Sequence, residues 1–386
     1  MSATIDDALI LLHRHGWEYG PLGLANHGPM AAEALFALGR AEAVLPWVER
    51  YCRRLGPLPG RDEPIAEEVW PAALGAGRRV GDWNAFFERA LAEQPWATVL
   101  DTWVARLAPG IAAAAFHGAI RTGHAVRSLS AVDTAPRRSE LAQGLAYWAA
   151  NYQLLPGAPS ASPDRRLPSE ALGAVPLLPV DQRRRGGLIV GQLERVARFA
   201  AFAPVIDRVD PRPAPPAFLA DLTETLARVY VANADGRNFF ALLHAVTGPS
   251  ALRPMLPHLS ADSAQLALRH AWQACAALYA GFAYRPETGE IEPVEEDDDD
   301  LIDRSLAVRD EHAIKLTEVC LREDGARPSP AYRAAARDAV ARLGGVRQRV
   351  SSFVGRELLP RLAGRPIARS IGQRLRKPPK AARSEP

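Results

Sequence analysis

A chain of 386 residues, 48% hydrophobic and 24% charged, is long enough to bury a substantial core and has the balance of a globular protein. Its formal net charge of +3 conceals an asymmetry, because residues 363–386 carry +6 and leave residues 1–362 at −3. A mildly acidic body gives no footprint for nucleic acid, and no apolar run reaches the ~18 residues of a membrane span, so both classes are set aside.

The first element follows Thr4, which can cap a helix through Ile5 to Leu12 with Asp6 and Asp7 in its first turn, as the helix dipole prefers. The start Met1 to Asp7 is acidic and lacks the basic-then-apolar order of a signal peptide. Asn26-His27-Gly28-Pro29 can end a loop and open a helix, which holds His27 rigidly at a helix N-terminus. Helical periodicity then covers Ala31 to Leu38, Arg40 to Leu55 and Asp82 to Ala92, and Pro46 must start a new segment or kink the second of these. Ile111 to Leu129 reads as one helix with His117 deep inside it.

Further helical stretches are Ser139 to Gln153, Gly187 to Phe202, Phe218 to Val231 and Asp262 to Phe282. Asp303 to Leu321, Ala331 to Leu343 and Val346 to Leu362 complete the series. Ala, Leu, Arg and Glu dominate, and alternating Val/Ile/Thr strands with hairpin turns are missing. The expectation is an all-α fold, one large multi-helix domain over residues 1–362. Pro-rich connections at Leu155 to Pro179 and Ala203 to Pro216 interrupt it, and a basic, disordered tail over 363–386 follows it. The run Glu295 to Asp300 reads as a solvated loop at a helix N-terminus. Three scattered cysteines, Cys52, Cys275 and Cys320, make neither a disulfide framework nor a thiolate metal site and point to a reducing cytoplasm.

Lys315 is the only lysine in the first 376 residues of an arginine-rich chain, and it stands three residues after His312. Residues three apart share a helix face, so an imidazole and an amine point the same way. Only an amine can shed its proton and become a nucleophile or the precursor of a ligand, which a guanidinium cannot do. His13 and His15 read as surface or cap residues. His258 lies in a loop, and His270 reads equally well as a hydrogen-bonded core imidazole. His244 is flanked by apolar residues on both sides and has to be paired or coordinated, since burying a bare polar group costs ~1 to 3 kcal/mol. His117 and His124 share a face but lie about 10.5 Å apart along a straight helix, so one of them, not both, suits a single metal ion. Histidines on separate helices of an all-α protein can converge on a metal, as helix bundles do.

Asn26-His27-Gly28-Pro29-Met30, His117-Gly118-Ala119-Ile120-Arg121-Thr122-Gly123-His124, Leu243-His244-Ala245-Val246-Thr247 and Asp310-Glu311-His312-Ala313-Ile314-Lys315 occur in an order that resembles the questin oxidase-like family. Glu140 to Ala150 fits the same pattern, and the resemblance covers about residues 5–345. It implies an oxidoreductase acting on fused aromatic rings such as quinones, often described as an NADPH-dependent Baeyer–Villiger-type oxygenase. For some members it implies non-haem Fe(II) held by four histidines and a carboxylated lysine, with O2 as the oxidant. By motif matching these are His27, His117, His244, His312 and Lys315, the last two also being the expected catalytic pair. Asp310 or Glu311 could orient His312.

The nearest approach to a dinucleotide motif, Gly75 to Gly81, has the wrong spacing and reads as a loop, so NADPH has no recognisable binding unit. The partner expected is a small aromatic molecule, with neither nucleic acid nor membrane. Trp17, Tyr19, Phe116, Trp148, Tyr152, Phe240 and Trp272 are candidate pocket walls. Two alternatives stand beside this reading. One is a metal-free NADPH-using oxidoreductase in which His312 and Lys315 do acid–base work; the other is a helical binding protein with a degenerate site.

Overall fold

A computed structural model describes residues 5–183, 188–212, 214–236, 238–284, 290–293 and 295–353, with side chains through residue 345. The Thr4 cap, the Gly187 helix start and the basic tail 363–386 lie outside the described residues. The chain divides into two compact units, Met1–Leu343 and Gly344–Pro386, of which the second is described only as the end of a helix reaching Phe353.

The fold is all-α. Helices α1 (Ile5–Leu12), α2 (Gly28–Ala37) and α3 (Ala41–Cys52) pack on one another around a small apolar cluster that includes Leu9, Leu35, Trp47 and Ile314. Between α1 and α2 stands a hairpin of two short strands, β1 (Glu18–Tyr19) and β2 (Leu24–Ala25), which turns through left-handed Gly20 and Gly23. Helices α4 (Trp70–Ala73), α5 (Val80–Glu93), α6 (Trp96–Leu107), α7 (His117–Ala131) and α8 (Ala135–Ala150) follow. The first Pro-rich stretch contains α9 (Pro168–Ala171). After α10 (Ile189–Ala197), the second begins inside a 3-10 helix, Ala200–Asp207. The rest are α11 (Pro215–Asn233), α12 (Phe239–Ser250), α13 (Ala261–Phe282), α14 (Asp298–Val308), α15 (Glu311–Ala326) and α16 (Pro330–Phe353). Among the described residues, no helix is long and apolar enough to cross a membrane.

Four departures from the periodicity reading have physical reasons. Pro46 does not start a new segment; it lies inside α3, one turn in, where it forgoes the backbone bond to the Glu42 carbonyl. Asp303 to Leu321 is two helices, because Arg309 turns left-handed (φ 58°) and the Asp310 carboxylate caps a new helix by accepting the His312 N–H at 2.9 Å. Ile111 to Leu129 also splits, before His117, at a run of three left-handed residues. Helices α6 and α12 have no counterpart in that reading; the strongly apolar α12 shows little amphipathic contrast because it is buried on nearly every side.

Of the contacts among these helices, those of α2, α7, α12 and α15 set up the site. Each packs against the next, α2 on α7, α7 on α12, α12 on α15 and α15 on α2, closing a ring. Small residues on α2 and α7 permit close approach, both within the ring and to the flanking α1 and α8. Gly28 faces the Leu12 side chain, Gly118 faces the Trp148 backbone on α8, and Gly123 sits against the Ala251 carbonyl that follows α12. A methyl at Gly123 would overlap that carbonyl, which is backbone and cannot swing aside. Gly123→Ala is therefore expected to cost ~1 to 3 kcal/mol, read as a lower denaturant midpoint at an unchanged m-value.

Candidate metal centre

Each helix of the ring contributes one histidine. His27 is the N-cap of α2, His117 the first residue of α7, and His312 the second residue of α15, while His244 lies mid-way along α12. Their nearest ring nitrogens all lie within 4.8 Å of one another. His27, His117 and His244 are buried, and His312 is half-buried.

The tautomers follow from what the other nitrogens touch. Nδ1 of His27 lies 2.5 Å from the Ala25 carbonyl, and that of His244 lies 2.6 Å from the Phe240 carbonyl. Nδ1 of His117 meets the Ala114 carbonyl, and that of His312 lies 3.1 Å from the Asp310 carboxylate. Carbonyls and carboxylates only accept, so all four Nδ1 carry protons and donate. Every Nε2 is then a bare lone pair. His117 Nε2 lies 2.8 Å from His27 Nε2 and 3.1 Å from His244 Nε2. With no proton between them, lone pairs this close repel unless a cation lies between. Two imidazoles bound to one divalent ion through ~2.1 Å bonds at right angles would hold their nitrogens ~3.0 Å apart, so the donor set fits a metal.

The electrostatics keep three of these rings, His27, His117 and His244, neutral. Burial holds His27 and His244 well below the usual imidazole range, and the neighbouring Lys315 and histidines push in the same direction. His117 falls to about 3 for the same reasons, against the Ala114 carbonyl, which favours its protonation. Lys315 is 1% exposed, and its Nζ has no hydrogen-bond partner. Burial pushes its amine down to about 7, against the pull of Glu311 and Asp310. An unpartnered buried amine whose charge is felt by His27, His117 and His244 adds a second observation for a site that takes a ligand.

Around this core, Asp310 rather than Glu311 orients His312. Glu311 instead accepts from Arg54 at 2.8 Å and from the Tyr19 hydroxyl at 3.3 Å, and the Arg54 guanidinium stacks 4.0 Å over the Tyr51 ring. The Tyr51 hydroxyl accepts the His27 N–H at 2.7 Å. Asn26 fixes the loop before α2, donating to the Gly16 carbonyl and accepting from the Gly28 N–H. Phe240 is 40% exposed and presents its ring at 5.0 Å to His312. Among the other candidate walls, Phe116, Trp148 and Trp272 are fully buried core, while Tyr152 packs against Gly110.

The remaining histidines lie elsewhere. His124 is outside the four-histidine group, its Nδ1 bonded to Glu33 at 2.6 Å, so of the pair on α7 it is His117 that joins the group. His13 is not simply a surface residue, since it pairs with buried Glu140 at 2.9 Å. His258 contacts Ser130, and His270 contacts Gln273. Gly75 to Gly81 forms a turn and a 3-10 turn leading into α5.

Sequence reasoning missed a second polar layer about two to three turns deeper in the same ring. Glu33 of α2 binds His124 and Arg127 of α7; Arg127 reaches Glu318 of α15, which also takes Arg322 at 3.0 Å. Arg322 and Arg253 share Glu323, to which the Ser250 hydroxyl donates at 2.7 Å. The only sequence signal for it is a set of charged residues in otherwise apolar segments.

The questin oxidase-like family model matches residues 24–320, more than three quarters of the chain and every residue of the histidine group. The chain belongs to this family, whose membership implies an oxidoreductase. No curated protein matches it.

The polar layer generates a pH prediction. Burial alone would raise the Glu318 carboxyl, but Arg322, Arg127 and His124 hold it at about 2, against 4.5 for a free group. Between those values the unfolded chain binds the extra proton, so this stabilisation is complete above pH 4.5 and is lost as pH falls towards 2. Glu318→Gln should cost about 3 kcal/mol at pH 7, and its deficit against the parent should shrink below pH 4.5 in chemical denaturation.

Proposed function

We propose that this protein is a mononuclear non-haem iron-dependent oxygenase that cleaves quinone-like or polycyclic aromatic rings oxidatively with O2. The observation that carries the reading is the convergence of four Nδ1-protonated imidazoles, each from a different helix, beside a buried and unpartnered amine. His27, His117, His244 and His312 would hold the metal through Nε2. Bound there, Fe(II) supplies the one-electron chemistry that lets O2 react with a closed-shell aromatic molecule.

The chain's own residues do the rest. A neutral Lys315 amine adds to CO2, forming an N–C bond and releasing one proton, and the resulting carbamate is an anionic oxygen donor. A guanidinium in the same place could not make it. Asp310 holds the His312 ring by its Nδ1–H, the kind of outer partner whose loss typically weakens metal binding 10–100-fold. His312 is also the least buried of the four, so an aromatic substrate approaches on its side. There the Phe240 ring forms an apolar wall, and Tyr19, Arg54 and Glu311 form a polar one. Electrons would come from the substrate or from a separate donor.

Metal analysis of the purified protein should find close to one equivalent of iron, reduced tenfold or more by His244→Ala. Under 13C-labelled CO2 a carbamate carbon signal is expected in the parent and not in Lys315→Arg, whose oxygen uptake with quinone-type substrates should also be lost. Protein free of metal and carbamate that still oxidises NADPH with such a substrate would overturn this reading in favour of metal-free acid–base chemistry at His312 and Lys315.

A further inference from the structure

The segment Ile111-Ala112-Ala113-Ala114-Ala115-Phe116 is, by composition, a good start to a helix, since alanine is the strongest helix former. The structure uses it otherwise. Ala114, Ala115 and Phe116 all adopt positive φ (45°, 58° and 68°), a conformation in which a Cβ crowds the following carbonyl and which single residues other than glycine rarely visit. Three in succession form an unusual left-handed stretch, and the residue that follows is His117.

The turn has two consequences at that histidine. In a continuous right-handed helix the Ala114 carbonyl would accept from the Gly118 N–H; here it accepts from the His117 N–H at 3.3 Å and also faces His117 Nδ1. The turn thus supplies the acceptor that fixes the His117 tautomer. It is also pinned from the far side, because the fully buried Phe116 ring packs against Gly248 of α12, four residues after His244. A side chain at Gly248 would occupy the space of that ring.

We propose that the left-handed turn Ala114–Phe116 is the positioning element of the His117 ligand, held against the local preference for an unbroken helix from Ile111. The inference rests on the metal-centre reading of His117, but its first test does not. Ala114 is half-buried, so its replacement disturbs packing little. In the metal-free protein, Ala114→Gly removes the Cβ that a left-handed residue tolerates poorly, and its thermal midpoint should rise. At an ordinary helical position the same change would lower the midpoint, and that result would overturn the proposal.

The second test is a double-mutant cycle read by Co(II) titration and its absorption spectrum. Ala114→Val, which disfavours the left-handed conformation, should weaken Co(II) binding at least tenfold, with a spectrum moved towards that of His117→Ala. Combining the two substitutions should add no further loss. Losses that multiply would show that the turn acts independently of His117 and would also overturn the proposal. If the parent protein bound no Co(II), the metal-centre reading would fail, while the sign of the Ala114→Gly shift would still judge the turn.

Discussion

Four imidazoles that have each committed their proton to an outward acceptor present four lone pairs to one another, and this constraint organises the centre of the molecule. Each Nδ1–H is tied to a fixed backbone carbonyl or to a cap carboxylate, so the rings cannot turn or exchange tautomers to relieve the crowding. Protonation is the other way to relieve it, and burial opposes that at His27, His117 and His244. A cation with room for several nitrogen donors satisfies both constraints.

Helix geometry sharpens the requirement. Three of the four histidines stand at or next to helix starts, so the N-termini of α2, α7 and α15 point towards the site. The positive ends of their dipoles disfavour a cation as well as an imidazolium. Negative charge is therefore needed close by. Asp310 and Glu311 supply some, but Glu311 is matched by Arg54, and Asp310 lies on the outer side of His312. The carbamate proposed on Lys315 would add an anion to a group that, among the described residues, includes no acidic side chain.

The sequence carried part of this plainly. Helix starts with a local chemical signature were legible, as at Asn26-His27-Gly28-Pro29, and so were the individual histidines, because an imidazole in an apolar segment stands out from its neighbours. The breaks before His117 and at Arg309 were not, because alanine and arginine are strong helix formers and tertiary packing overrode them. His117 and His124 could not be separated by spacing, since a seven-residue interval keeps both on one face; the left-handed turn and the Glu33 partner decide between them. The deeper polar layer stayed hidden for a different reason. Its pairs join residues far apart in the chain, such as Arg127 with Glu318, and no local pattern encodes which charge meets which.

That layer explains how four separate helices deliver nitrogens to one point. Apolar packing alone is tolerant of small slides and rotations, because it depends on area and volume more than on direction. Charged hydrogen bonds are directional, and leaving one buried partner unpaired is costly. Glu33, His124, Arg127, Glu318 and Arg322 link α2, α7 and α15, and Arg322 and Arg253 carry the linkage to the end of α12 through Ser250 and Glu323. All four helices are therefore held in register about two to three turns from the histidines. A shift of one helix by a single residue would break several of these bonds together. The burial of so much charge is thus better understood as fixing register than as adding net stability, and register is what a site made from one side chain per helix requires.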